Sequence, residues 1–231
     1  MKIIKKFYTF LKLLTVSFLN KPFLYFLTKK THPLSKVYGF DRGAPIDRYY
    51  IENFLNKNRQ HIKGRCLEVL DNQYTLKFGK ATKSDILDIN KNNNKANIYG
   101  DLRKLNDVKD NSYDCIILTQ VLQFIDEYEK AIQECERILK PGGFLLATVP
   151  SLSRVDVASG IENDFWRWTP TGAKFVFSKY FKNKNLVVEG FGNVLAGTGF
   201  WVGMAQEDLK EKNLKYFDPN FPILVTIKAQ K

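Results

Sequence analysis

Four short apolar runs end in, or lead directly into, side chains that could hold a ligand. RCLEVL contains Glu68 and continues into Asp71 and Asn72, and SDILDI contains Asp88 and leads to Asn90. ANIYG is followed by Asp101 and Leu102, and YDCIILTQ ends at Gln120. A carboxylate can accept from both hydroxyls of a vicinal diol at once, and an amide can do the same work more weakly. Each acid also has a plainer role: Glu68 could cap the following turn, Asp88 could be a solvated strand end, and Asp101 could be a helix N-cap. Acids at three successive run ends are harder to explain that way, and their convergence marks a candidate site. A second group mixes aromatic faces with charges: Arg42, Asp47, Arg48, Tyr49 and Tyr50 near the start, and Asp164, Trp166, Arg167 and Trp168 further on. Sugar rings have an apolar face and a polar rim, which suits stacking plus charged hydrogen bonds. Asp164 and Asp47 are the candidate bases for a hydroxyl acceptor, while Trp166 and Trp168 could equally be buried packing aromatics.

These side chains need a scaffold that brings the run ends together. The runs at 65–70, 84–89, 96–100, 113–120 and 144–150 are continuously apolar, as expected of strands covered on both faces. A helix-period segment at 45–62 precedes the first run, and DEYEKAIQECERILK at 126–140 lies between the last two, closed by Pro141, Gly142 and Gly143. A helix opening at Thr169 and Pro170 and two strands, NLVVEGFG and ILVTIKAQ, complete the series. Strands alternating with helices make a parallel α/β sheet, whose ligand crevice lies beyond the carboxyl ends where strand order reverses.

From about Gly64 to Pro150 the chain resembles the class I S-adenosylmethionine-dependent methyltransferases of the methyltransferase type 11 kind. The resemblance rests on GRCLEVLDN, on GDL at 100–102, and on NSYDCIILTQVLQFI followed by ERILKPGGFLLATVP. The flanks SKVYGFDRGAPIDRYYIENFL and DFWRWTP resemble a bacterial branch associated with cell-surface glycan assembly. The resemblance implies an α/β, Rossmann-like class I methyltransferase fold: a seven-stranded mixed sheet with helices on both faces, its last two strands an antiparallel hairpin. It implies S-adenosylmethionine as cofactor and methyl transfer to an oxygen of a sugar, glycan or other small acceptor. Glu68 would end the first motif near the methionine end, with Leu70, Asp71 and Asn72 in the loop beside it. Asp88, or Asn90 in its place, would take the ribose hydroxyls, Asp101 the adenine amino group with Leu102 packing on the ring, and Gln120 would line the pocket near the methyl. Arg42, Arg48, Tyr49, Tyr50, Trp166, Arg167 and Trp168 would hold the acceptor.

The sequence departs from that family at its glycine turn. Acid-x-Gly-x-Gly reads Glu68-Val69-Leu70-Asp71-Asn72, so both glycines are missing. Asn72 tolerates left-handed backbone, whereas the branched Leu70 would fill space along the cofactor's path. Either the loop is re-routed, with Gly79 supplying the close approach, or cofactor binding is weakened. The second outcome would leave a non-catalytic module that binds a protein or membrane partner. A dinucleotide dehydrogenase is disfavoured because Gly-x-Gly-x-x-Gly is absent. His32 and His61 lie away from every run end, and no His, Cys and carboxylate spacing suggests a metal.

The net charge of +12 is concentrated at one end, where residues 1–30 hold seven lysines and no acid. That distribution does not make a nucleic-acid docking face. Ile3, Phe7, Phe10, Leu11, Leu14 and Phe18 recur at helical spacing with lysines on another face, the pattern of a basic amphipathic helix. It could lie peripherally on an inner membrane face or pack on its own domain. The expected division is 1–33 for this segment and 34–231 for the domain. Three scattered cysteines suit small buried side chains in a reducing, cytoplasmic compartment.

Overall fold

The structure, a computed structural model, describes residues 31–156 and 160–231. The expected amphipathic helix therefore lies outside the described residues. The first described segments run through α1 (Ile46–Lys57), β1 (Lys63–Val69), α2 (Gln73–Phe78), β2 (Lys80–Asp88), β3 (Ile98–Tyr99) and β4 (Tyr113–Thr119). They continue through α3 (Tyr128–Ile138), β5 (Leu139–Pro150), α4 (Pro170–Phe177), β6 (Leu186–Phe191), α5 (Val194–Val202), α6 (Glu211–Lys215) and β7 (Leu224–Gln230).

The strands form one seven-stranded sheet in the order β3-β2-β1-β4-β5-β7-β6. β1 to β5 pair in parallel, and β7 runs antiparallel to both β5 and β6. This is the expected mixed sheet, although β6 and β7 are not joined by a tight hairpin, because α5 and α6 are inserted between them. Those two helices, and α2, escape sequence reading. VLAGTGFWV is too uniformly apolar to show a period, and the other two are only 6 and 5 residues long.

The continuous apolar runs are strands because both of their faces are covered. Ile116 and Leu118 of β4 join a core beneath α3 and α4, while the alternate Cys115 and Ile117 join a second core beneath α1 and α5. In β5, Leu145 and Ala147 point to the first core and Leu146 to the second. This period-two alternation, with a core on each side, explains why apolar residues fill consecutive positions of the runs. The three cysteines are free and buried, and burial pushes the Cys135 thiol up to about 12, so it behaves as a small apolar side chain.

The chain proceeds from β1 outward to β3, then crosses back to β4 beside β1. Strand order reverses at that point, so the crevice opens between the loop after Val69 and the loop after Thr119.

Candidate functional site

The loop after β1 keeps the path of a glycine turn without the glycine. Leu70 has φ of 72°, in the left-handed region, and its N–H donates to the Leu87 carbonyl of β2 at 3.0 Å. A leucine there costs about 1–2 kcal/mol relative to ordinary backbone. The loop is therefore not re-routed through Gly79. That residue ends α2 at the far side of β1, where an added Cβ would meet Ile62 Cγ2 at 2.5 Å. Asn72 is not left-handed either. Its φ is −121°, and its side chain donates to Ser84 Oγ on β2 at 3.2 Å.

Glu68 is buried and caps α2. Its carboxylate accepts from Tyr74 N, Thr75 N and Thr75 Oγ1 at 3.1, 2.8 and 2.8 Å. Burial pushes its pKa up against these donors. Asp71 accepts from the amide and side chain of Gln73 at 3.1 and 2.6 Å. Both acids thus build the loop, the plainer role open to Glu68 on sequence.

At the end of β2, Asp88 is 5% exposed and accepts from Asn90 N at 2.8 Å and Asn93 Nδ2 at 2.7 Å. Asn93 Nδ2 also donates to the Leu70 carbonyl at 2.7 Å, so it ties the loops after β1 and β2 together. Asn90 is exposed and uses its side chain to accept from Asn92 N at 3.0 Å. Asp101 accepts from Arg103 at its amide, Nε and Nη2, and Arg103 reaches on to Asp126 at 2.7 Å. These bonds hold the Asp101 carboxyl below its ordinary range. Leu102 packs into the core beneath α3 rather than facing the crevice.

Two cavities meet at Leu70. One, of about 640 Å³, is lined by Glu68, Asp71, Tyr74 and Arg48, and Arg48 donates to the Tyr74 hydroxyl. The other, of about 260 Å³, is lined by Tyr38, Phe40, Asp47, Gln120, Gln123 and Asp164 among others. Gln120 has φ of 54° and accepts from Gln123 Nε2 at 3.1 Å. Two acceptors of this smaller cavity, Asp47 Oδ1 and Gln123 Oε1, are buried with no hydrogen-bond partner among the described residues. A buried acceptor without a donor is costly, so its presence calls for an explanation, and a ligand is one. Burial raises the Asp47 pKa, with Arg48 and the first-turn amides of α1 opposing.

Asp164 lies in the same cavity but is fully engaged. Arg167 grips both of its oxygens at 2.6 and 2.8 Å, and Asp156 N donates to it at 2.8 Å. Burial works against its charge, yet the Arg167 and Asp156 donors hold its pKa low, which makes it a weak base. Arg167 is thereby an anchor for that loop, and it also donates to the Arg154 carbonyl at 2.8 Å.

The aromatic acceptor set is largely dispersed. Tyr50 is a core residue whose hydroxyl donates to the Leu214 carbonyl at 3.0 Å, and Tyr49 packs edge-on against it. Trp168 is buried against Tyr128, and Trp166 donates to the Ile125 carbonyl at 3.0 Å. Arg42 forms a forked pair with Asp208 at 2.8 and 3.0 Å. Of the seven expected acceptor residues, Arg48 alone lines either cavity. Phe40 supplies an aromatic face instead, while the Arg154 guanidinium covers the Tyr38 ring at 3.9 Å; no periodicity marked either because they lie in an irregular segment. Gln123 stood three residues after Gln120, a spacing that would have suggested a shared face.

Residues 63–147 match the family model described as a methyltransferase domain. A sequence comparison with curated proteins finds no match. Among solved structures, the chain is similar to an S-adenosylmethionine-dependent methyltransferase from Archaeoglobus fulgidus, at 15% identity and a TM-score of 0.52. That alignment covers 80% of this chain and 94% of the other. A methyltransferase of the same dependence from Mesorhizobium loti aligns at 14% identity and a TM-score of 0.53, over 80% and 100% of the two chains. A putative sarcosine dimethylglycine methyltransferase from Galdieria sulphuraria gives 16% and 0.54, over 92% and 98%. At these identities the structures establish the fold, and the domain match agrees with it: this is a Rossmann-like methyltransferase fold of class I. S-adenosylmethionine is the cofactor of that class.

Proposed function

We propose that this chain moves a methyl group from S-adenosylmethionine to a hydroxyl oxygen of a sugar or glycan acceptor. The carrying observation is the pair of buried, unpartnered acceptors, Asp47 Oδ1 and Gln123 Oε1, in a cavity that adjoins the crevice at the switch point. Acceptors without donors suit a ligand rich in O–H groups.

The strand-end residues fit the cofactor. Asp88 uses two of its roughly four lone-pair sites, which leaves capacity for ribose hydroxyls, with Asn90 beside it. Asp101, partly exposed, retains acceptor capacity for the adenine amino group. Glu68, Asp71 and Asn72 shape the loop from within, and Gln120 faces the space where the methyl would be passed. When bound, the cofactor supplies a methyl made electrophilic by its sulfonium. Asp47 then takes the acceptor's proton, its raised pKa bringing it toward working pH. Gln123 Oε1 accepts a second hydroxyl, and the exposed Phe40 covers the ring. Alignment of donor and acceptor supplies most of the acceleration.

Calorimetric titration of the full chain with S-adenosylmethionine and its demethylated product tests the first half of this reading. Saturable micromolar binding of both is the expected result, followed by product formation with polyhydroxylated acceptors. Absence of binding favours the second reading, a non-catalytic module, whose support is the Leu70 side chain standing between the two cavities. Leu70→Gly relieves the left-handed strain at a side chain that is 60% exposed, so little burial is lost. After the flexibility of glycine in the unfolded chain is subtracted, a net gain of up to about 1 kcal/mol is expected. For a chain of this size that is a rise of about 2–4 °C in Tm. Cofactor affinity is expected to rise with it, and a fall would show that the leucine packs on the ligand.

A further inference from the structure

α5, VLAGTGFWV, contains no charged residue. Ala196, Gly197, Gly199 and Phe200 are buried against the domain, which accounts for one of its sides. The other side is uncovered among the described residues: Val194 is 58% exposed, Leu195 45% and Trp201 51%. A helix that is apolar all round belongs in a core or against lipid. Val194 and Trp201 join Phe221 and Leu152 in lining an apolar groove of about 480 Å³ whose walls hold no charged side chain. Leu34, also half exposed, is fastened to this face, because its N–H donates to the Val202 carbonyl at 2.7 Å. Contiguous exposed apolar surface of this kind marks an interaction site.

The charge of the adjoining sequence indicates the partner. The chain enters this face from residues 1–30, which carry seven lysines and no acid, with apolar residues at helical spacing. We propose that the α5 face, centred on Trp201, docks in the interfacial layer of a bilayer containing anionic lipid. Tryptophan favours that layer because its ring is apolar and its N–H is polar. Anionic headgroups complement a basic segment placed beside an apolar patch. A second copy of this chain is a poorer partner, since it carries the same seven lysines and the same net charge of +12. No helix of the described residues is long and apolar enough to cross a membrane, so the contact is a surface one. The docked face also adjoins the site: Ser151 and Leu152 line the groove, and Ser153 lines the smaller cavity.

The test is flotation of the full chain with phosphatidylcholine vesicles, with and without phosphatidylglycerol, repeated with brominated acyl chains that quench tryptophan fluorescence. Expected are flotation with the anionic vesicles alone, its loss at high salt, and quenching. Trp201→Phe should keep flotation and lose the quenching, since Trp168 is buried against Tyr128 and Trp166 is held by the Ile125 carbonyl. Trp201→Glu should weaken vesicle binding about tenfold or more while circular dichroism stays unchanged. The proposal is overturned by a lack of flotation, by flotation without quenching, or by quenching that survives Trp201→Phe. A Trp201-dependent dimer on size exclusion, with no flotation, would assign the face to a second copy instead.

Discussion

Asp47→Asn is expected to abolish turnover while making the protein more stable. If Asp47 is the base, it contributes about 10²–10⁴-fold to the rate, and asparagine cannot take a proton. Its negative charge lies in the first turn of α1, where the helix dipole favours it by about 0.3–1 kcal/mol. Burial works the other way and wins, since the pKa is raised and Oδ1 lacks a partner. A carboxyl with a raised pKa binds its proton more readily in the folded state. Its stability contribution is therefore complete below the ordinary aspartate pKa of about 3.9 and is lost as pH rises through the folded value. The variant should melt higher than the parent at neutral pH, with the difference vanishing toward about pH 4. Thermal denaturation across that range and single-turnover product formation check the two halves. A variant that melts lower at neutral pH, or that retains turnover, removes Asp47 from the mechanism.

The second large effect is at Asp88. Its carboxylate holds Asn90 and Asn93, and through Asn93 it steadies the Leu70 carbonyl, so Asp88→Ala loosens the crevice as well as removing the proposed ribose acceptor. Buried hydrogen bonds to a charged group are worth about 1.5–3 kcal/mol, so cofactor affinity should fall by about 10- to 100-fold. Asn93→Ala separates the two contributions, because it releases the loops and leaves the carboxylate in place. If Asp88 takes the ribose hydroxyls, Asp88→Ala will weaken binding about tenfold beyond Asn93→Ala. Equal losses in calorimetry would mean that Asp88 serves the loop alone.

Much of this site follows from position along the chain. Asp88 and Asp101 stand at the ends of apolar runs, and that is visible in the sequence. Their partners are not. Asn93 sits in an asparagine- and lysine-rich stretch that reads as solvated loop, and nothing in its sequence distinguishes the asparagine that bridges two loops. The dispersal of the aromatic set has a similar cause. Tyr49 and Tyr50 are adjacent on α1, so a 3.6-residue period turns Tyr50 into the core and leaves Tyr49 packing on its edge, away from the cavity. DFWRWTP reads equally well as a binding segment or a packing one, and the contacts with Tyr128 choose packing.

What the sequence determined by itself is the seven strands, the helices α1, α3 and α4, and the three acids at the crevice edge. Local apolar periodicity and strand length carry that information, and both survive without knowledge of distant neighbours. Tertiary structure alone decided that Leu70 takes the glycine path, that Asp164 is neutralised by Arg167, and that, among the described residues, Asp47 is left with a bare oxygen and α5 with an uncovered apolar side. Each of these depends on which residues far apart in the chain are brought together, and on how much water their packing excludes. The backbone angle of one leucine and the basicity of one carboxylate are set by those neighbours, not by the residue types themselves.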